Sequence, residues 1–232
     1  MRVELSLDTL LTAMSLAGCG EAHLIFAGGE RYVPPSATDR VRREALDELA
    51  PLGLATGGGL DRDFEDALRT LGQPHTEYIA HVRAGDRQYG LLVAVRGRSA
   101  TIAVREGARV RLNRARETDY AAMLVALLPA AAPADFTPFS VPRQEIRGEP
   151  TSHDARELAS ILARPSDGLG YLHVARRASG KRRTEATDAV CYVDAEAGRV
   201  GIAPTGGDHV AVFPGDETRL TARLAAVRAT LR

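Results

Sequence analysis

The sequence predicts an α+β fold: an antiparallel β-sheet built from two four-strand meanders related by a pseudo-twofold and flanked by helical bundles. Three observations carry that prediction. "TEYIAHVRAG", "QYGLLVAVRG", "SATIAVREG" and "ARVRLNR" follow one another as β-type segments joined by short glycine-bearing turns. "GYLHVARR", "DAVCYVDAE", "GRVGIAP" and "DHVAVFP" repeat the arrangement later in the chain. Turn spacing this short excludes the long crossovers that parallel strands require. The third observation is that letters recur at matched places. His81-Val82 corresponds to His173-Val174 at an offset of 92 (173 − 81). Ile102-Ala103 matches Ile202-Ala203 at an offset of 100 (202 − 102), as do Val110 with Val210, Glu117-Thr118 with Glu217-Thr218 and Leu124 with Leu224. The difference falls in the first turn of the second meander, where "RRASGKRRTEA" stands in place of "AGDRQ". A duplicated unit of helix, meander and helix follows. Two independent domains would leave the same pattern.

The elements read in order as follows. Leu7, Leu10, Leu11 and Met14 recur at helical spacing, with Ser6 or Asp8 placed to cap the helix and Gly18 or Gly20 to end it. "AHLIFAG" reads as a short strand, "SATDRVRREALDELAPLG" as a charged surface helix and "ATGGGL" as a flexible turn. Asp61 caps a helix that runs to Leu71. After the first meander, Glu117 or Thr118 opens a helix whose apolar face includes Tyr120, Met123, Leu124, Leu127 and Leu128. The Ala- and Pro-rich "LLPAAAPADFTPFSVPR" reads as a connection. The halves are therefore expected at 1–130 and 151–232, joined over 131–150 within one integrated domain. "DARELASILARP" is a helix that stops before Pro165, and a terminal helix starts at Asp216.

Composition narrows the function. Thirty basic residues balance 30 acidic ones, so bulk electrostatics do not draw this chain to nucleic acid or to a membrane surface. No apolar run approaches the roughly 20 residues that span a bilayer. The box Leu16-Ala17-Gly18-Cys19 has the letters that precede a lipoprotein cleavage site. The charges of Arg2 and Glu4 cancel, however, and Asp8, Thr9 and Thr12 interrupt the apolar stretch, so helical spacing explains the segment better. A cytoplasmic protein is expected, with Cys19 and Cys191 as reduced core thiols.

No catalytic constellation emerges. "ASGKRRT" lacks the distant Gly and the following Ser or Thr of a phosphate loop, and it sits in a hairpin turn rather than at a helix N-terminus. "ATGGGL" follows no suitable strand. His23, His75, His81, His153, His173 and His209 show no metal-ligand spacing. Cys191 stands mid-strand among apolar residues, where a thiolate is poorly stabilised. The expectation is a non-enzyme with no metal and no cofactor.

The chain resembles the EspG family of type VII (ESX) secretion-associated chaperones along nearly its whole length. The resemblance rests on "VELSLDTLLTAMSLAG", on "YGLLVAVRGRSATIAVREGARVRLNRARETDYAAMLVALLP", on "FSVPRQEI" and on "DAVCYVDAEAGRVGIAPTGGDHVAVFPGDETRLTARLAAV". It implies a central antiparallel sheet with helical bundles, acting in the cytoplasm without catalysis. The implied partner is a protein client, the apolar tip of the PPE subunit in a PE–PPE heterodimer or another ESX-type helical hairpin, kept soluble for export. The family's gripping loop falls on Ala84 to Gln88, which marks Arg83, Asp86, Arg87 and Gln88 as partner-binding residues. The bundle helix marks Asp154, Arg156, Glu157, Ser160 and Arg164. The family's loop is long and this one is short, so the basic turn Arg176 to Ala186, with Arg182 and Arg183, is expected to take over part of the contact.

Two other classes compete. A stand-alone interaction or regulatory domain would pair through a sheet edge and have no secretion client. An enzyme assembled only in three dimensions would show a deep pocket with convergent titrating groups.

Overall fold

The computed structural model describes residues 2–29, 32–115, 117–177 and 182–231. The chain runs β1 (Arg2–Ser6), α1 (Leu7–Leu16), α2 (Thr38–Leu49), β2 (Ala55–Thr56), β3 (Gly59–Leu60) and α3 (Arg62–Gly72). It continues through β4 (Thr76–Ala84), β5 (Arg87–Arg96), β6 (Ser99–Glu106), β7 (Arg109–Arg114) and α4 (Tyr120–Val125). The remainder is β8 (Phe139–Pro142), α5 (Arg143–Arg147), α6 (His153–Leu162), β9 (Ser166–Arg176), β10 (Thr184–Glu185), β11 (Val190–Ala195), β12 (Gly198–Pro204), β13 (His209–Pro214) and α7 (Glu217–Thr230). The fold is α+β with antiparallel ladders, as predicted.

The chain forms two compact units. The first holds residues 1–77, 89–118 and 177–181. Its strand order is β1-β7-β6-β5. The β6–β7 turn is Gly107-Ala108 and the β5–β6 turn is Gly97-Arg98, and both glycines have positive φ (57° and 60°). A glycine with positive φ at the first of two turn positions suits the right-handed twist of the flanking strands, which explains how such short connections keep their register. Asp61 caps α3 by accepting from the backbone N–H of Asp63 and Phe64 at 3.0 and 3.1 Å. Helix α1 packs on α2, α3 and β7, and α3 packs on β6. Gly90 to Val95 of β5 are all buried, so this strand is covered on both faces. Its letters "GLLVAV" therefore show no alternation.

Two expectations for this unit change, and one strand is new. "AHLIFAG" is not a strand: Leu24–Phe26 is a single 3₁₀ turn, capped by His23 Nδ1 accepting from Ile25 N–H at 3.0 Å. Arg105 donates to the carbonyls of Ile25 (2.7 Å) and Ala27 (2.5 Å), taking the bonds a sheet neighbour would have made. "ATGGGL" is the β2–β3 hairpin, with Gly57 and Gly58 both at positive φ. The residues ahead of α1 are a strand, β1, which pairs with β7 in the register Leu5 to Val110.

The second unit holds residues 78–88, 119–176 and 182–232, in strand order β4-β9-β11-β12-β13-β8 with β10 beside β9. Part of the expected connection is therefore strand: β8 pairs with β13, Val141 opposite Val210. Strand β8 precedes α5 and α6 and pairs with the last meander strand, just as β1 precedes α1 and pairs with β7. Helix α4 opens at its cap Asp119, later than Glu117 or Thr118, and buries Ala121, Leu124 and Val125. Asp216 caps α7, so Glu217 lies inside its helix whereas Glu117 precedes α4; that matched pair is not equivalent in structure.

One face of this unit is tightly closed. Along the register Gly170–Tyr192–Gly201–Phe213, each aromatic ring fills the space of a missing side chain. A Cβ on Gly170 would stand 2.2 Å from Tyr192 Cε1, and one on Gly201 would stand 2.4 Å from Phe213 Cε2. Helix α7 packs over β9, β11 and β12 and meets α4, burying Leu220, Leu224 and Val227. In the neighbouring row Arg199 is buried, pairs with Asp194 through Nε (2.6 Å) and Nη2 (2.9 Å), donates to the Pro129 carbonyl (2.7 Å) and lies over the Tyr192 ring. Its backbone also bonds Ala132 and Ala134. One arginine thus ties the Ala-Pro segment to the sheet.

Candidate functional site

The opposite face of the second unit is closed at one end only. The pairings Leu169–Val193, Tyr171–Cys191, Cys191–Ile202 and Ile202–Val212 place these side chains on a common face. At the far end α6 sets Ala155 and Leu158 against Val141, Val200 and Val212, with Ile161, Phe136 and Phe139 around them. Ser152 caps α6 by accepting from Ala155 N–H at 3.2 Å. Glu145 accepts from the backbone N–H groups of Thr151 and Ser152 and from the Ser152 hydroxyl. Those bonds, Ser152 first, hold the Glu145 carboxyl below its usual range.

Beyond α6 the apolar floor is open. Tyr171 is 48% exposed and Leu162, at the end of α6, is 44% exposed. Leu169, Cys191 and Val193 are half-buried. Burial pushes the Cys191 thiol up to about 11, which keeps it protonated at neutral pH. The rim is polar. The His81 and His173 rings meet edge-on with centroids 6.3 Å apart. Glu185 Oε1 lies 3.5 Å from His173 Nδ1, and Arg183 Nη1 lies 2.8 Å from Glu185 Oε2. The arrangement is a partly open apolar shelf with a polar border.

The predicted residues distribute around this shelf. Arg83 alternates with His81 onto the open face and donates to Ser166 Oγ at 3.3 Å. Arg183 reaches the same face through β10, where Glu185 pairs with Ala175. Asp86, Arg87 and Gln88 stand exposed at the end of the β4–β5 turn, whose Gly85 N–H bonds the Asp167 carbonyl at 2.6 Å. On α6, Arg156, Glu157 and Ser160 are exposed on the side away from Ala155 and Leu158, and Asp154 is half-buried in the first turn; Arg164 is exposed just beyond the end of the helix. Arg182 is exposed; positions 178–181 of the basic turn, including the phosphate-loop-like letters, lie outside the described residues.

Sequence reasoning missed the floor. Leu169, Tyr171 and Val193 belong to strands whose other face is also apolar, and that doubled pattern was the available signal. A cleft of about 450 Å³ in the first unit, between α1 and α2, has a lining without histidine or cysteine. Among the described residues no group of three or more His, Cys, Asp or Glu is placed to hold a metal ion. No described helix is long and apolar enough to cross a membrane.

The sequence profile of the EspG family matches residues 6–226. No curated protein matches the chain. Among solved structures, the Mycobacterium tuberculosis type VII secretion system chaperone EspG5, determined in complex with a PE25–PPE41 dimer, is similar with a TM-score of 0.82 at 14% identity. The match covers 100% of this chain and 97% of that one. At that identity the likeness speaks for the fold.

Proposed function

The chain belongs to the EspG family, and on that premise we propose that it is a non-enzymatic, cytoplasmic chaperone of type VII secretion. Its client is a PE–PPE-like helical pair whose apolar tip it covers until export. The observation that carries this reading is the open shelf, Leu169, Tyr171, Cys191 and Val193 beside α6. An exposed apolar helix tip is an aggregation hazard, and a half-closed sheet face next to a short helix offers it a place to dock. A polar border keeps such an interface reversible, as release at a secretion machine requires.

Around the shelf, Arg83, Arg183 and Arg182 form one flank of the contact. Asp86, Arg87 and Gln88 form its end, and Asp154, Arg156, Glu157, Ser160 and Arg164 form the α6 flank. Co-expression with a PE–PPE-like pair encoded in the same genome tests the proposal. The expected result is a stoichiometric complex and a rise in soluble client, both lost in Tyr171→Arg. A client equally soluble without the chaperone, or a complex indifferent to Tyr171→Arg, sinks the assignment. Retention of full affinity in Arg182→Ala/Arg183→Ala removes the basic turn from the contact.

A further inference from the structure

We propose that Arg143 is a positioning residue for the client: it clasps the α5–α6 arm to the sheet and thereby fixes the wall of the shelf. The inference rests on the chaperone reading and deepens it at the same site.

Packing alone holds that wall lightly. Of the ten residues of α6, only Ala155 and Leu158 are buried. In the five-residue α5 the one apolar side chain, Ile146, is 42% exposed. Helices this short owe their place to tertiary contacts rather than to their own propensity.

Polar contacts supply the rest. The Arg143 backbone N–H donates to the Asp208 carbonyl at 2.7 Å. Its guanidinium donates to both carboxylate oxygens of Asp188, from Nη1 at 2.5 Å and from Nη2 at 2.8 Å. Nε is buried with no hydrogen-bond partner among the described residues, so Asp188 carries the hold on the guanidinium. Asp188 lies just ahead of β11, the strand that brings Cys191 and Val193 to the floor. In the strand order β13 and β12 stand between β8 and β11. The clasp thus reaches past two strands, from the end of β8 to the approach of a floor strand. A bidentate fork fixes orientation as well as distance.

A second link continues the first. Glu145 Oε2 accepts from the Thr151 N–H (2.9 Å), the Ser152 N–H (2.8 Å) and the Ser152 hydroxyl (2.9 Å), which joins α5 to the residue that caps α6. The connections run in series from the floor strand through Asp188 and Arg143 to α5, and through Glu145 and Ser152 to α6. Breaking either link frees the wall. A wall already in place when the client arrives spares the complex the cost of ordering it.

The test combines hydrogen exchange of the chaperone alone with affinity for the purified PE–PPE-like pair. The variants are Arg143→Met, Arg143→Lys, Glu145→Ala and the double Arg143→Met/Glu145→Ala. In Arg143→Met the amides of α6 should exchange about fivefold faster while those of β12 and β13 keep their wild-type rates, and client binding should weaken about fivefold. Arg143→Lys keeps the charge without the fork and should restore part of both losses. Glu145→Ala should act in the same direction. Because the links are in series, the double variant should be no worse than the weaker single one. Wild-type affinity in Arg143→Met, unchanged α6 exchange, exchange that rises equally in all strands, a lysine variant no better than methionine, or losses that multiply in the double variant each overturn the inference. Wild type separates the two claims: a complex that forms and ignores Arg143→Met overturns only the clasp, whereas no complex at all overturns the chaperone reading and this inference with it.

Discussion

Strands β5 and β9 are both apolar on both sides, yet one is sealed and the other is not. In β5 the run from Gly90 to Val95 is buried throughout. In β9 Gly168, Gly170, Leu172 and Val174 are buried, while Leu169 and Tyr171, on the alternate face, remain partly or largely uncovered. Residue type does not distinguish the two cases; how much of each strand face is covered does. The first unit has α1, α2 and α3, three helices of ten to twelve residues, whereas α5 and α6 give the open face of the second unit only five and ten. An uncovered apolar strand face is thus the place to look for a partner.

The comparison breaks first on the closed side. Arg199→Ala leaves the mostly buried Asp194 carboxylate without its bidentate partner and frees the Pro129 carbonyl. A loss of about 3–5 kcal/mol is expected, read by denaturant unfolding. Leu92→Ala in β5, where the side chain is fully buried, should cost about 2–5 kcal/mol by the same measurement. If either costs less than about 1 kcal/mol, the contrast between sealed and open faces is false.

Tyr171→Ala addresses the open side. Its effect on unfolding should stay below about 1 kcal/mol, while client affinity falls by about 2 kcal/mol, some thirtyfold. Comparable losses in both measurements would show that Tyr171 belongs to the core instead.

The smallest effect concerns Cys191. Its thiol is raised by burial from the ordinary 9.0 to about 11, so at pH 8 it presents about a hundredfold less thiolate than a free cysteine. Alkylation should be correspondingly slow and should speed up only towards pH 11. The raised value favours the protonated form in the fold, so this group's contribution is intact below about pH 9 and declines as pH rises towards 11. Fast alkylation at pH 8 would mean that the shelf is wetter than its burial implies.

Much of this organisation was legible in the letters. β-type segments and glycine turns located the eight meander strands, and Asp61 and Asp216 announced their helices because a capping carboxylate leaves a local signal. The two short edge strands were hidden. "RVELS" runs into a helix with its own strong pattern, and "FSVP" ends in proline, which is tolerated only at an edge. The floor of the site was hidden for a different reason. Whether Tyr171 faces a helix or solvent depends on how far α6 reaches, and the spacing of letters within β9 carries no information about that.

The interlocked row on the closed face has a consequence for descent. Because the ring of Tyr192 occupies the volume that a side chain at Gly170 would need, and Phe213 does the same at Gly201, neither glycine is free to drift by itself. Any relative that acquires a methyl group at one of these positions must trade its aromatic neighbour for something smaller in step. Across the lineage those four sites should therefore change as two linked couples, even where the exposed floor on the reverse side diversifies.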